Sequence, residues 1–133
     1  MMKKNIYVVT VNYDRSVEAA AKAGKYDLTN SDITSGHFPS EEVRTKEVSI
    51  ELIYFGRDIA TDKALSKLKK TGMRTATLKE LLALGEKYHT LPSREFPTIF
   101  ALSPAWRPRC GGRRGAFLSK EVSGGRFLRL GWV

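Results

Sequence analysis

Two glycine pairs, Gly111-Gly112 and Gly124-Gly125, cut the last third of the chain into three short apolar and aromatic segments. Glycine supplies the positive φ that tight hairpin turns demand. Segments this short between such turns have no room for a crossover helix, so neighbours must run antiparallel. The pattern predicts strands over Thr98 to Ala105, Ala116 to Val122 and Arg126 to Val133. They are joined by the turns Cys110-Gly111-Gly112-Arg113-Arg114-Gly115 and Ser123-Gly124-Gly125: a C-terminal β-meander.

The first 95 residues read differently. Ile6 to Tyr13 is β-branched and aromatic and is expected to form a buried strand. Ser16 can cap a short helix from Val17 to Ala23, which Gly24 ends. The stretch from Tyr26 to Pro39 is polar and rich in turn formers. Thr45 to Phe55 starts with clean alternation: Val48, Ile50 and Leu52 on one side, Glu47, Ser49 and Glu51 on the other. That is a half-exposed strand. Thr61 can cap a second helix, Asp62 to Thr71, closed by Gly72. Its Leu65 and Leu68 are expected to be buried beside Ala64, with Lys63, Lys67 and Lys70 in solvent. Thr77-Leu78-Lys79-Glu80 is a capping box that opens a third helix through the buried Leu81-Leu82 to about Tyr88. Pro92 and Pro97 bound a connector. The expected fold is α+β: a small mixed or antiparallel sheet, two or three short helices and the C-terminal meander. Its 133 residues fit one domain, 1–133, with a mixed α/β lobe at 1–95 and an Arg/Gly-rich β lobe at 96–133.

Hydrophobic residues at 41% and charged residues at 28% exclude general disorder, and no apolar run approaches a membrane span. A lone cysteine, Cys110, excludes an intramolecular disulfide. The basic, apolar start is interrupted by Asn12 and Asp14 too early for a signal peptide, so the cytoplasm is the expected compartment. The net charge of +9 is uneven: residues 1–95 carry +3 and residues 96–133 carry +6. Six of the seven basic residues in the second part are arginines: Arg107, Arg109, Arg113, Arg114, Arg126 and Arg129.

Tyr13-Asp14-Arg15-Ser16, Gly24-Lys25-Tyr26-Asp27, Thr29-Asn30-Ser31-Asp32-Ile33-Thr34 and His37-Phe38-Pro39 resemble the opening of a family of small hypothetical proteins of candidate-phylum bacteria. The run from Ala76 to Gly85 and Arg94-Glu95-Phe96-Pro97 are similar to its middle, and Trp106-Arg107 with Gly112-Arg113-Arg114 to its β-rich end. The resemblance implies neither an activity nor site residues. It implies a further aromatic, basic strand after Gly131-Trp132.

Enzymatic and metal chemistry find little footing. There are two histidines, His37 and His89, and no Cys-x-x-Cys pair, so no metal or cofactor is expected. Cys110 lies between Arg109 and Arg113, which favour a thiolate, but no nucleophile motif surrounds it. The glycine turn is neither a dinucleotide fingerprint nor a Walker loop, because it precedes a strand where those open a helix. Asn30, Asp32 and His37 could line a small pocket, a remote enzyme reading; such residues also stabilise turns through local backbone hydrogen bonds. The Arg-rich end is the stronger signal. Trp106, Arg107 and Arg109, with Arg113 and Arg114 folded back by the turn and Arg126 and Arg129 on the last strand, combine a stacking face with phosphate-binding guanidinium groups. The expected function is non-enzymatic binding of an anionic partner, nucleic acid first. The alternative is a protein-interaction domain for an acidic protein surface.

Overall fold

The computed structural model describes residues 6–39, 42–53, 61–93, 98–109, 111–121 and 124–132. The order is β1 (Ile6–Asn12), α1 (Val17–Ala23), β2 (Leu28–Thr29), β3 (Thr45–Glu51), α2 (Thr61–Lys70), α3 (Leu78–Lys87), β4 (Thr98–Trp106), β5 (Arg114–Lys120) and β6 (Arg126–Trp132). The fold is α+β. β1 and β3 form an antiparallel two-stranded sheet. The second sheet has the order β2-β6-β5-β4. Its β4-β5-β6 part is the antiparallel meander, and β2 joins β6 in parallel.

The core is one cluster that draws on both sheets. It contains Val9 and Val11 of β1, Ala20 of α1, Leu81, Leu82 and Leu84 of α3, Ile99 of β4, Leu118 of β5 and Leu128 of β6. α3 touches β1, β4, β5 and α1, so its residues from Leu78 to Gly85 are buried apart from the half-buried Lys79. A helix surrounded in this way must be apolar on nearly every side. Its start is the expected capping box. Glu80 N–H donates to Thr77 Oγ1 at 3.4 Å, and Thr77 N–H donates to Glu80 Oε1 at 2.8 Å. At α1 the hydroxyl of Ser16 accepts from Ala19 N–H at 3.0 Å, and the helix ends before Gly24.

Several expectations need correction. β1 is buried on one face only: Val9 and Val11 are covered, whereas Ile6 and Val8 are exposed. It lies in a two-stranded sheet with a single face on α3, so alternate residues must look outward. Thr61 is the first residue of α2, not its cap, and the helix stops at Lys70. Leu65 and Leu68 are half-buried, and neither belongs to the core cluster, because α2 lies outside the group of elements that α3 joins. Lys63, Lys67 and Lys70 are exposed as expected. Within the polar stretch after Tyr26, Leu28–Thr29 forms a strand that sequence periodicity did not signal. Phe55, Pro97, Cys110, Val122, Ser123 and Val133 lie outside the described residues. No helix among the described residues is long and apolar enough to cross a membrane.

Candidate functional site

The turn between β4 and β5 forms as the glycines require. Gly111 and Gly112 have φ of 97° and 76°, and Gly111 N–H donates to the carbonyl of Pro108 at 3.0 Å. This folds Arg113 and Arg114 back beside Arg107 and Arg109. Trp106 is the Cα partner of Arg114, which is in turn the partner of Trp132. One cross-strand row therefore holds Trp106, Arg114 and Trp132 by their backbones. Arg107 and Arg109 are exposed and make no hydrogen bond or ion pair to a described residue. Arg113 and Arg114 are half-buried, and Arg114 Nη2 donates to the carbonyl of Leu130 at 3.3 Å.

Arg126, expected on the anion-binding surface, turns to backbone carbonyls. Its guanidinium donates to the carbonyls of Leu91 at 2.9 Å, Gly24 at 3.1 Å and Gly85 at 2.6 Å. It also lies over the Tyr26 ring, 4.9 Å from the centroid. Gly24 and Gly85 sit at the C-terminal ends of α1 and α3, where carbonyls lack intrahelical partners and the helix dipole favours a cation. Arg126 thus ties the meander to two helix ends, and meeting a phosphate would mean releasing three carbonyls. Arg129 is also engaged. It pairs with Glu121 at 3.0 Å and stacks on Phe127 with 4.8 Å to the centroid.

The face of the larger sheet turned away from α3 is the feature that sequence reading missed. Ile99, Ala101, Ala116, Leu118, Leu128 and Leu130 point into the core. Their alternates look the other way: Phe100 on β4, Phe117 on β5, Phe127 and Arg129 on β6. Phe100 and Phe117 are cross-strand partners, and their rings stack at 4.6 Å with 24° between planes. Phe100 is 41% exposed, and Leu28, partner of Phe127, is 51% exposed. The aromatic pair leans towards Gly131, where an added Cβ would stand 3.1 Å from Phe117 Cε1 and 3.5 Å from Phe100 Cε1. The available signal was the alternation itself: Phe100 separates two small or apolar core residues, and Phe117 does the same.

Around Asn30, Asp32 and His37, where a small pocket was expected, the structure shows bonds local to the turn. Asn30 Oδ1 accepts from Asp32 N–H at 2.8 Å, His37 Nδ1 lies 2.7 Å from the Asp32 carbonyl, and Thr34 Oγ1 accepts from His37 N–H at 3.2 Å. Side chains committed to their own backbone in this way fix a loop. Among the described residues no group of three or more His, Cys, Asp or Glu is placed to hold a metal ion.

The most concentrated polar chemistry is structural. Glu80 is 2% exposed and accepts four hydrogen bonds. They come from Tyr13 Oη at 2.5 Å, Arg74 Nη1 at 2.8 Å, Arg74 Nη2 at 2.6 Å and Thr77 N–H. Burial alone would raise the Glu80 carboxyl. The hydrogen bonds from Arg74, Tyr13 and Thr77 and the Arg74 charge outweigh it and hold the group below its ordinary 4.5. Burial, then the hydrogen bond and charge of Glu80, hold the Tyr13 phenol well above its usual range.

No family model, curated protein or solved structure matches this chain.

Proposed function

We propose that this protein binds nucleic acid without enzymatic action, through phosphate contacts from the β4–β5 end of the meander. The observation that carries the reading is the exposure of Arg107 and Arg109 on the hairpin that also brings in Arg113 and Arg114. An exposed guanidinium offers a planar fork that matches two phosphate oxygens. Residues 96–133 hold one acidic residue, Glu121, and Arg129 occupies it. Trp106 supports the reading by its place on β4, directly before Arg107.

The test is fluorescence anisotropy of labelled RNA and DNA as a function of salt. Replacing Arg107 and Arg109 together by Ser should weaken binding to every sequence alike. It should also flatten the plot of log affinity against log salt by about 0.7 per lost contact on single strands. Failure of the wild-type protein to bind at about 50 mM salt, a range in which phosphate contacts are strong, refutes the reading. Capture of an acidic protein in that case favours the protein-interaction alternative.

A further inference from the structure

We infer that the outward face of the larger sheet receives unpaired bases, so that the nucleic acid it takes is single-stranded, with the exposed Phe100 and its partner Phe117 as the stacking platform. The inference rests on the nucleic-acid reading above and adds strandedness to it. An antiparallel sheet with one face on a core ordinarily turns polar residues outward on the other. Here Phe100 stands against Phe117, with Phe127 and Arg129 on the next strand, and the polar outward pair is confined to Thr98 and Ser119. The Phe pair is already stacked, and Phe100 remains 41% exposed. Gly131 lets the pair lie close to β6, since a side chain there would press on both rings.

A phosphate backbone alone would use guanidinium groups and leave such rings idle. A duplex hides the π-faces of its bases inside the stack. Only unpaired bases offer those faces, and every base has one, so stacking tolerates any sequence. The charge around the face fits the same occupant. Arg107 and Arg109 follow the end of β4, the strand that carries Phe100, while Arg129 on the face itself stays paired with Glu121. Exposed Lys120 closes β5, the strand of Phe117. Cations flanking an aromatic floor are what a strand needs to lay bases down with phosphates outward.

The experiment compares a labelled 12-nucleotide single strand with the same sequence as a duplex. It uses wild type, Phe100→Ala and Phe100→Leu, with circular dichroism on each. Phe100 is outside the core, so both variants should keep the fold. The single strand should bind more tightly than the duplex. Both variants should weaken single-strand binding about 5- to 150-fold, the range of one lost base stack. Duplex binding and the salt slope should not change. If single strand and duplex bind alike, and both variants match wild type while the Arg107/Arg109 variant is weakened, this inference falls and the phosphate reading stands. If Phe100→Leu keeps full affinity, the contact is merely apolar and stacking is refuted. If wild type binds neither nucleic acid and Phe100→Ala abolishes a self-association seen by light scattering, a second copy covers the face. Both proposals then fail.

Discussion

Replacing Glu80 by Ala removes the acceptor of four hydrogen bonds at once. The Tyr13 hydroxyl is left buried with no partner, which costs about 1–3 kcal/mol. The capping box loses its reciprocal half, worth about 0.5–1 kcal/mol. The Arg74 side chain is 59% exposed, so water takes over much of its solvation, and the ion pair adds less than the about 3–5 kcal/mol of a fully buried one. The total is about 2–4 kcal/mol. For a chain of 133 residues the unfolding entropy is about 0.28 kcal/mol/K, so Tm should fall by about 7–14 °C.

Glu80→Gln should cost less, because its amide oxygen still accepts from Thr77 and Arg74. It separates the charge from the shape. The folded-state carboxyl lies below 4.5, so its contribution is fully present above the unfolded value and is lost as pH falls through the folded one. The stability gap between wild type and Glu80→Gln should therefore be constant near neutral pH and shrink below about pH 4.5. Urea titrations at several pH values read both effects. The network is refuted if Glu80→Ala moves Tm by less than about 2 °C, or if Glu80→Ala and Tyr13→Phe add independently despite their 2.5 Å contact.

The Tyr26 hydroxyl is buried without a hydrogen-bond partner and abuts Gly85, and burial pushes its pKa up to about 12. Tyr26→Phe should leave the unfolding free energy from urea titration unchanged or raise it by up to about 1 kcal/mol, whereas a clear loss would reveal a partner. Arg126→Met strips three carbonyls of their donor and should cost about 2–4 kcal/mol. Arg126→Lys should recover only part, since an ammonium cannot reproduce the fork; full recovery in a thermal melt would reduce the contact to simple charge. Leu82→Ala should cost about 2–5 kcal/mol, and half-buried Leu65→Ala well under half as much; equal denaturant midpoints would contradict the placement of α2.

Local signals carried the helices and the meander. The box at Thr77–Glu80 and the cap at Ser16 are short-range chemistry, so they were legible without tertiary knowledge. The two ends of the β4–β5 turn were legible because glycine is nearly alone in tolerating its φ values. β2 was not legible: two residues have no period, and Leu28–Thr29 becomes a strand only because β6 presents an edge. The links from Tyr13 and Arg74 to Glu80 were hidden for the same reason. Tyr13 lies 67 positions away, and nothing at the capping box announces a phenol. At the site, the hairpin arginines were readable from composition, but the aromatic face required knowing which side α3 covers.

The arginines divide by the parity of their strand positions, and that division has a measurable consequence. On β6, Arg126 shares its face with the buried Leu128 and Leu130, so its side chain starts on the core side and finds backbone carbonyls. Arg129 shares its face with Phe127 and meets Glu121. On β5, Arg114 lies on the face of Ala116 and Leu118 and donates to Leu130. Counting charges treats these residues as equal to Arg107 and Arg109; the folded chain does not. If all six arginines met phosphates, log affinity for a single strand would fall with log salt at a slope of about −4. With Arg126 committed to carbonyls, Arg129 paired and Arg114 bonded to the backbone, the exposed Arg107 and Arg109 remain, and their share of the slope should be about −1.4. A slope of −4 or steeper would mean that binding breaks the Arg126 and Arg129 contacts, and the division by strand face would then be wrong.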